Sequence, residues 1–274
     1  MPDRSRSWRC TWERALIRRS IFERVDAFDE TVSHAEDWDW FMRVRERGLT
    51  VVVHPEVMLL YRRHGDNMSN NEPETRAALV RMIHRSIERR RAQGGDLAPL
   101  PDLPFLEQYL RGRRRYGAAP SRHEDDRGQS ISAVIPVYNC ERYLGMAIRS
   151  ALTQTEPPGE ILVVDDGSTD GSAAVARGFG APVHCLSQPH AGLSAALNRG
   201  IERAHGTFLA FLDADDLWME AKLARQLDAL AADPALDAVF GHVEQFVSPE
   251  LDPAVGPALS DGMRLAPAIW RGRS

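Results

Sequence analysis

The stretch "EILVVDDGSTDGSAAVARGFG", residues 160–180, decides the fold. Its first seven residues are an apolar run closed by two acids, as in a buried strand ending at a sheet edge. "DDGSTDGS" is turn composition, and "GSAAVARGFG" is compatible with a short helix. The same unit recurs on both sides. "ISAVIPV" (131–137), "PVHCLSQ" (182–188) and "FLAFLDA" (208–214) are short apolar strands. "CERYLGMAIRSALTQT" (140–155) and "GLSAALNRGIERAHG" (192–206) are helix-compatible and lie between strands. Strand and helix alternating at this spacing predict βαβ units and an α/β fold with a mostly parallel sheet flanked by helices. A further helix, "EAKLARQLDALAAD" (220–233), leads to a strand-like "AVFGHVEQF" (238–246).

Outward from this block the pattern changes twice. Residues 70–130 hold a helix that starts near Asn71 and Pro73 with an apolar stripe at Leu79, Ile83 and Ile87, and ends at Gly94 and Gly95. A Pro-, Gly- and charge-rich linker follows, and its "RGRRR" at 111–115 reads as solvated charge. Residues 1–69 form a separate structured block. There "RALIRRSIFERV" (14–25) reads as a short helix, and "HAEDWDW" (34–40) opens a second. Ser33 and Glu36 suit a capping box, and Gly48 suits a stop. "LTVVVHP" and "VMLLYRRH" (49–64) read as two strands with a Pro-containing turn between them. The expected organisation is therefore 1–69, a 70–130 linker, and 131–274.

Composition narrows the function. Net charge is −5 and pI about 6.0, so no global field favours nucleic acid. No apolar run is long enough to cross a bilayer, and "MPDRSRSW" lacks an apolar signal core. The three cysteines, Cys10, Cys140 and Cys185, show no CxxC pattern and point to a reducing, cytoplasmic setting.

The chemistry gathers where open α/β sheets bind ligands, at the carboxyl ends of strands. Tyr138 and Asn139 follow the first strand of the block, Asp165 and Asp166 close the second, and Asp213, Asp215 and Asp216 follow the fourth. Five acids at one rim repel each other unless a cation sits among them, and carboxylates suit Mg²⁺ or Mn²⁺. Asp213 and Asp215 are two apart, so in an extended chain they point to the same side. A rim metal bridges phosphates, and Tyr138 could stack on a base. Taken singly, an Asp pair is a turn or cap and a rim tyrosine is packing. Their coincidence at one edge argues for a ligand site.

"SAVIPVYNCERYL", "EILVVDDGSTDGS", "GLSAALNRGIERAHG" and "FLAFLDADDLW", in this order, closely resemble the donor-binding half of family 2 glycosyltransferases with the GT-A fold. The first block, with "ALIRRSIFERVDAFDE", "HAEDWDWFMRVRERG" and "VMLLYRRHGDNMS", resembles the acceptor-side half. The resemblance implies that Pro136, Tyr138 and one or both of Asp165 and Asp166 hold the nucleotide base. Asn198 would lie near the donor and Asp213 would touch the ribose. Asp215 would bind the metal, with His64 matching a histidine that approaches it in some relatives. Asp37 would be the general base, giving inversion at the anomeric carbon. In the first helical turn of its segment, its ionised form would be favoured by the helix dipole. The implied donor is a nucleotide sugar, a UDP-sugar first in line, and the acceptor a glycan, lipid-linked sugar or peptide that the sequence does not select.

Two departures stand out. The halves are in reversed order, which suggests circular permutation, a domain-swapped homodimer, or the tail of one transferase joined to the head of another. Leu197 occupies a position where relatives often carry arginine, with Arg199, Arg62 or Arg63 as substitutes. A nucleotide-sugar-binding module without turnover is the alternative function.

Overall fold

The computed structural model describes residues 12–32, 36–65, 72–92 and 130–248. Among these, strands from both ends of the chain form one eight-stranded sheet. In chain order the strands are β1 (Ala15–Arg18), β2 (Val51–Arg63), β3 (Ile131–Val137), β4 (Glu160–Asp165), β5 (Val183–Ser187), β6 (Phe208–Phe211), β7 (Leu217–Trp218) and β8 (Ala238–Val247). They run in the order β5-β4-β3-β6-β1-β8-β2-β7. The helices are α1 (Ile21–Val25), α2 (Glu36–Glu46), α3 (Glu72–Ala92), α4 (Glu141–Leu152), α5 (Ser172–Arg177), α6 (Leu193–Arg203) and α7 (Lys222–Ala232).

The four strands foreseen in the later block pair as parallel neighbours, β5 with β4, β4 with β3, and β3 with β6. Every residue of β3 is buried, as expected for a strand covered on both faces. Its alternation sorts side chains into two cores. Ala133, Ile135 and Val137 pack with Leu144, Ile148 and Ala176 of α4 and α5 and with Leu223 and Leu227 of α7. Val134 packs on the opposite face with Leu197 of α6 and with Phe22, Phe28, Trp40 and Val44 of the first block. That second core is an aromatic cluster, in which Phe22 stacks on Trp40 at 5.0 Å and Phe28 meets Phe211 edge-on at 6.0 Å.

Four expectations are corrected. Ala15–Arg18, read as part of a helix, is β1, inserted antiparallel between β6 and β8 with Leu16 opposite both Ala210 and Val239. Only Ile21–Val25 is helical there. Four residues have too little pattern of their own, and a vacant slot between two strands decides their conformation. Val51–Arg63 is one strand, not two. Pro55 falls where the register with β8 shifts, between Val53 and Val57, so its missing N–H breaks no regular ladder. The buried face of α3 is Ala78, Met82 and Ser86, with Ile83 half exposed to solvent. Its rotation is set by polar bonds to the first block: Ser86 Oγ to Glu46 (2.5 Å), Arg89 to Glu46 (2.9 Å) and Asp39 (2.9 Å), and Arg85 to Asp29 (2.7 Å). Finally, Asp213 and Asp215 are not on extended chain. β6 closes at Phe211, and the Asp216 N–H bonds to the Asp213 carbonyl at 3.1 Å in a turn.

Gly48, at φ +66°, ends α2 as expected. Ser33, Gly94, Gly95 and "RGRRR" lie outside the described residues. No described helix is long and apolar enough to cross a membrane.

Candidate active site

β1 places the first block directly against the acidic turn. The short 3-10 helix Trp12–Arg14 leads into it, and there Glu13 is buried, at 4% exposure. Burial first, then Glu13, holds the Asp213 pKa well above the ordinary carboxylate value. Asp216 is raised likewise by burial, then by Asp215 and Glu13. Asp37, in the first turn of α2, keeps part of its surface open, yet burial dominates there too. Its pKa is raised by burial, then by Glu36 and Glu13. The expected help from the helix dipole is thus outweighed. The charge of Glu13 therefore acts on acids from both halves of the predicted site.

Positive partners approach the turn from β2. The Arg62 N–H donates to Asp216 Oδ1 (2.8 Å) and its Nε to the Asp215 carbonyl (2.8 Å). The guanidinium is held between the rings of Tyr143 (4.7 Å) and Phe246 (4.6 Å). His64 Nε2 lies 2.8 Å from Asp215 Oδ2, which joins the two predicted metal ligands. Cys140 is close by. Burial and the charges of Asp215 and Asp170 push its thiol up to about 12, so it is inert.

The donor-side residues separate into three situations. Asp166, 3% exposed, accepts on its carboxylate from Gln188 Nε2 and the N–H groups of Ala191 and Gly192, all within 2.9 Å, while His190 Nδ1 bonds to the Asp166 backbone carbonyl (3.1 Å) and lies 2.8 Å from Oδ2. Its charge is met by protein donors without a cation. Asp165 accepts the Ser168 N–H on Oδ1 (3.1 Å) and no hydrogen bond on its other oxygen among the described residues. Of the pair, Asp165 is the one with capacity for a base. Tyr138 stands exposed beyond β3, and Pro136 is buried within that strand opposite Val164. Asn198 is turned toward the first block: it accepts the Phe28 N–H (2.8 Å) and donates to the Phe28 carbonyl and to Glu30 (both 2.9 Å). Leu197 is fully buried in the aromatic core, a place where a guanidinium would have no solvent.

Glu13 and His190 went unread in the sequence. A lone Glu in "TWERAL" and a lone His in "QPHAG" carry no spacing signal.

A divalent cation fits the donor set. Asp215 and His64 offer one oxygen and one imidazole side by side, and phosphate oxygens and water commonly complete such a shell. Asp216 Oδ2 is buried and has no hydrogen bond among the described residues. No three His, Cys, Asp or Glu side chains among the described residues form a ready-made shell.

An open α/β sheet with its acids at the strand ends is the GT-A class of fold. Residues 132–256 match the family model described as Glycosyl transferase family 2. Glycosyltransferase GlyA of Streptococcus pneumoniae serotype 4 is 37% identical over 119 residues, covering 42% of this chain and 17% of that protein. An uncharacterized glycosyltransferase of Rickettsia felis is 28% identical over 246 residues, covering 83% of this chain and 39% of the relative, an extent that takes in both sides of the linker. Staphylococcus aureus TarS 1–349 in complex with UDP-GlcNAc is similar over 38% of this chain and 30% of that one, at 27% identity and TM-score 0.32. So local a likeness carries nothing about its ligand to this chain. The chain is thus similar to family 2 glycosyltransferases over residues 132–256. The chain spans well under half the length of these two curated relatives.

Proposed function

We propose that this chain moves a sugar from a nucleotide-diphosphate donor to an acceptor hydroxyl, with inversion, in a circularly permuted GT-A domain. The observation that supports the reading is one sheet joining both blocks, with β1 between β6 and β8 and His64 Nε2 2.8 Å from Asp215 Oδ2. Asp37 takes the proton of the acceptor hydroxyl. Its raised pKa makes it a better proton acceptor once ionised and delays ionisation to higher pH. Tyr138 stacks on the base, Pro136 shapes the strand end beneath it, and Asp165 accepts a base N–H. Asp166 fixes the 188–192 loop. Asp213 faces the ribose, and Asn198 latches the Phe28 loop to α6. A divalent ion, Mg²⁺ or Mn²⁺, held by Asp215 and His64 would neutralise charge on the departing diphosphate. UDP is the first donor to test.

The test is thermal stabilisation by UDP, GDP and dTDP, each with and without Mn²⁺, followed by a transfer assay. Stabilisation by at least one nucleotide with Mn²⁺ is expected, and none at all refutes the reading. Mixing Asp37→Asn with Asp215→Asn protein should restore no activity if each site is built within one chain. Recovery on mixing refutes that closure in favour of a domain-swapped homodimer. A second reading, a nucleotide-sugar-binding module without turnover, draws on the fully buried Leu197 at a position where an arginine was expected. Binding without sugar release would establish it.

A further inference from the structure

The rim beyond β3 and β4 carries an arrangement that the reading above leaves unused. The His190 imidazole lies against the Tyr138 ring, with centroids 4.1 Å apart and planes 24° from parallel. Both rings stand at the surface, Tyr138 at 48% exposure and the His190 side chain at 56%. An exposed imidazole ordinarily samples several rotamers. This one is tethered at Asp166, where Nδ1 is hydrogen-bonded to the backbone carbonyl (3.1 Å) and lies 2.8 Å from Oδ2. The same carboxylate holds Gln188 Nε2 (2.7 Å), the Ala191 N–H (2.9 Å) and the Gly192 N–H (2.8 Å), so the chain is fixed on both sides of the histidine. There is no slack beneath it. Gly167 has φ +77°, and a Cβ there would stand 2.8 Å from the His190 backbone nitrogen.

A tethered ring packed on one face of an aromatic covers that face and leaves the other open. We propose that His190 is a positioning residue of the donor site: it closes one face of Tyr138 and holds the phenol ring so that a nucleobase stacks on the opposite face. This rests on the reading of Tyr138 as the base platform. The stack supplies orientation before binding. Without it the tyrosine ring has to be ordered as the base arrives, and affinity falls.

Three variants separate the ring from the tether. His190→Ala removes both, His190→Asn keeps a donor for Asp166 without a ring, and His190→Phe keeps a ring without the donor. Binding of UDP with Mn²⁺ is measured by calorimetry, with thermal unfolding in parallel to confirm the fold. His190→Ala and His190→Asn should bind about fivefold to tenfold more weakly, the lower range of one base–aromatic stack, and His190→Phe within about twofold of the unaltered protein. In turnover the loss should appear in the donor KM with kcat unchanged. A native-like His190→Asn with a weak His190→Phe means the tether alone matters and overturns the proposal. Equal binding by all three variants, or equal loss in all three, overturns it as well. If the unaltered protein binds none of UDP, GDP or dTDP with Mn²⁺, the functional reading fails and takes this inference with it. Binding by the unaltered protein with any contrary variant pattern removes only the inference.

Discussion

Replacing Asp39 tests whether α3 braces the helix that carries Asp37. Asp39 is 1% exposed, and its two oxygens are divided between two arginines, Arg43 Nε on Oδ2 and Arg89 Nη1 on Oδ1, both at 2.9 Å. Removing one member of a buried ion pair costs about 3–5 kcal/mol when the partner is left uncompensated. Here neither arginine is abandoned. Arg43 retains the Val25 carbonyl at 2.8 Å, and Arg89 retains Glu46 at 2.9 Å. Their side chains are 13% and 28% exposed, so water can reach part of each. The expected cost is therefore lower, about 2 kcal/mol for Asp39→Asn and about 3 kcal/mol for Asp39→Ala. A double-mutant cycle with Arg89→Gln should give a coupling of about 1 kcal/mol, discounted for the exposure of Arg89. Urea denaturation at neutral pH, with the midpoint and slope fitted separately, measures each term. A coupling indistinguishable from zero would show that α3 does not brace α2 through this pair. An Asp39→Asn loss below about 0.5 kcal/mol would refute the whole energetic argument.

Asp37→Asn should lower kcat about 10²- to 10⁴-fold with the fold intact. Because the Asp37 pKa is raised, kcat/KM should fall as pH drops through that raised value, and Glu13→Gln should move this acid limb to lower pH by removing one of the charges that raises it. An unmoved limb contradicts the contact. Asp213 concerns stability. Its folded-state pKa lies above the unfolded one, so between the two values the folded chain binds more protons. The group's contribution to stability therefore declines as pH rises from the ordinary carboxylate value through the raised one, and stays lost above it. Asp213→Asn should raise Tm at neutral pH and flatten its dependence on pH. A variant that melts lower than the unaltered protein at neutral pH defeats this account.

The legible parts of the chain were those with repetition. Each of β3, β4, β5 and β6 is an apolar run ending at polar or acidic residues, and each is followed by a helix or turn, so pattern and tertiary outcome coincide. β1 was illegible because its four residues take their conformation from β6 and β8, more than 190 positions away. The face of α3 was misjudged for a related reason: the apolar stripe at Ile83 competes with Ser86, Arg85 and Arg89, and the polar bonds to Asp29 and to α2 win. At the site, the acidic clusters announced themselves, but their electrostatic roles did not. Asp165 and Asp166 are adjacent in sequence, yet the Asp166 carboxylate takes three donors and Asp165 takes one. No spacing rule encodes that difference, which depends on where the 188–192 loop returns.

The contacts around β1, followed inward, show how the first block packs against the later one. Both strands that pair with β1 belong to the later block. Beneath it, the buried Lys222 Nζ donates to the Ala15 carbonyl at 3.1 Å, and Gln226 Nε2 donates to the carbonyls of Arg14 and Val239 at 2.8 Å. Burial drives the Lys222 pKa well down, opposed only by Glu13. A polar group with so little water is held in place by its partners, because leaving any of them unpaired is costly. These bonds depend on what lies beside β1, and not on whether β1 precedes or follows the later block along the chain. A domain-swapped dimer would use the same bonds, so the choice between the two forms rests on concentration. The joining segment keeps the parts of one chain at an effective concentration on the order of millimolar. At micromolar protein, closure within the chain is then favoured by about a thousandfold, roughly 4 kcal/mol.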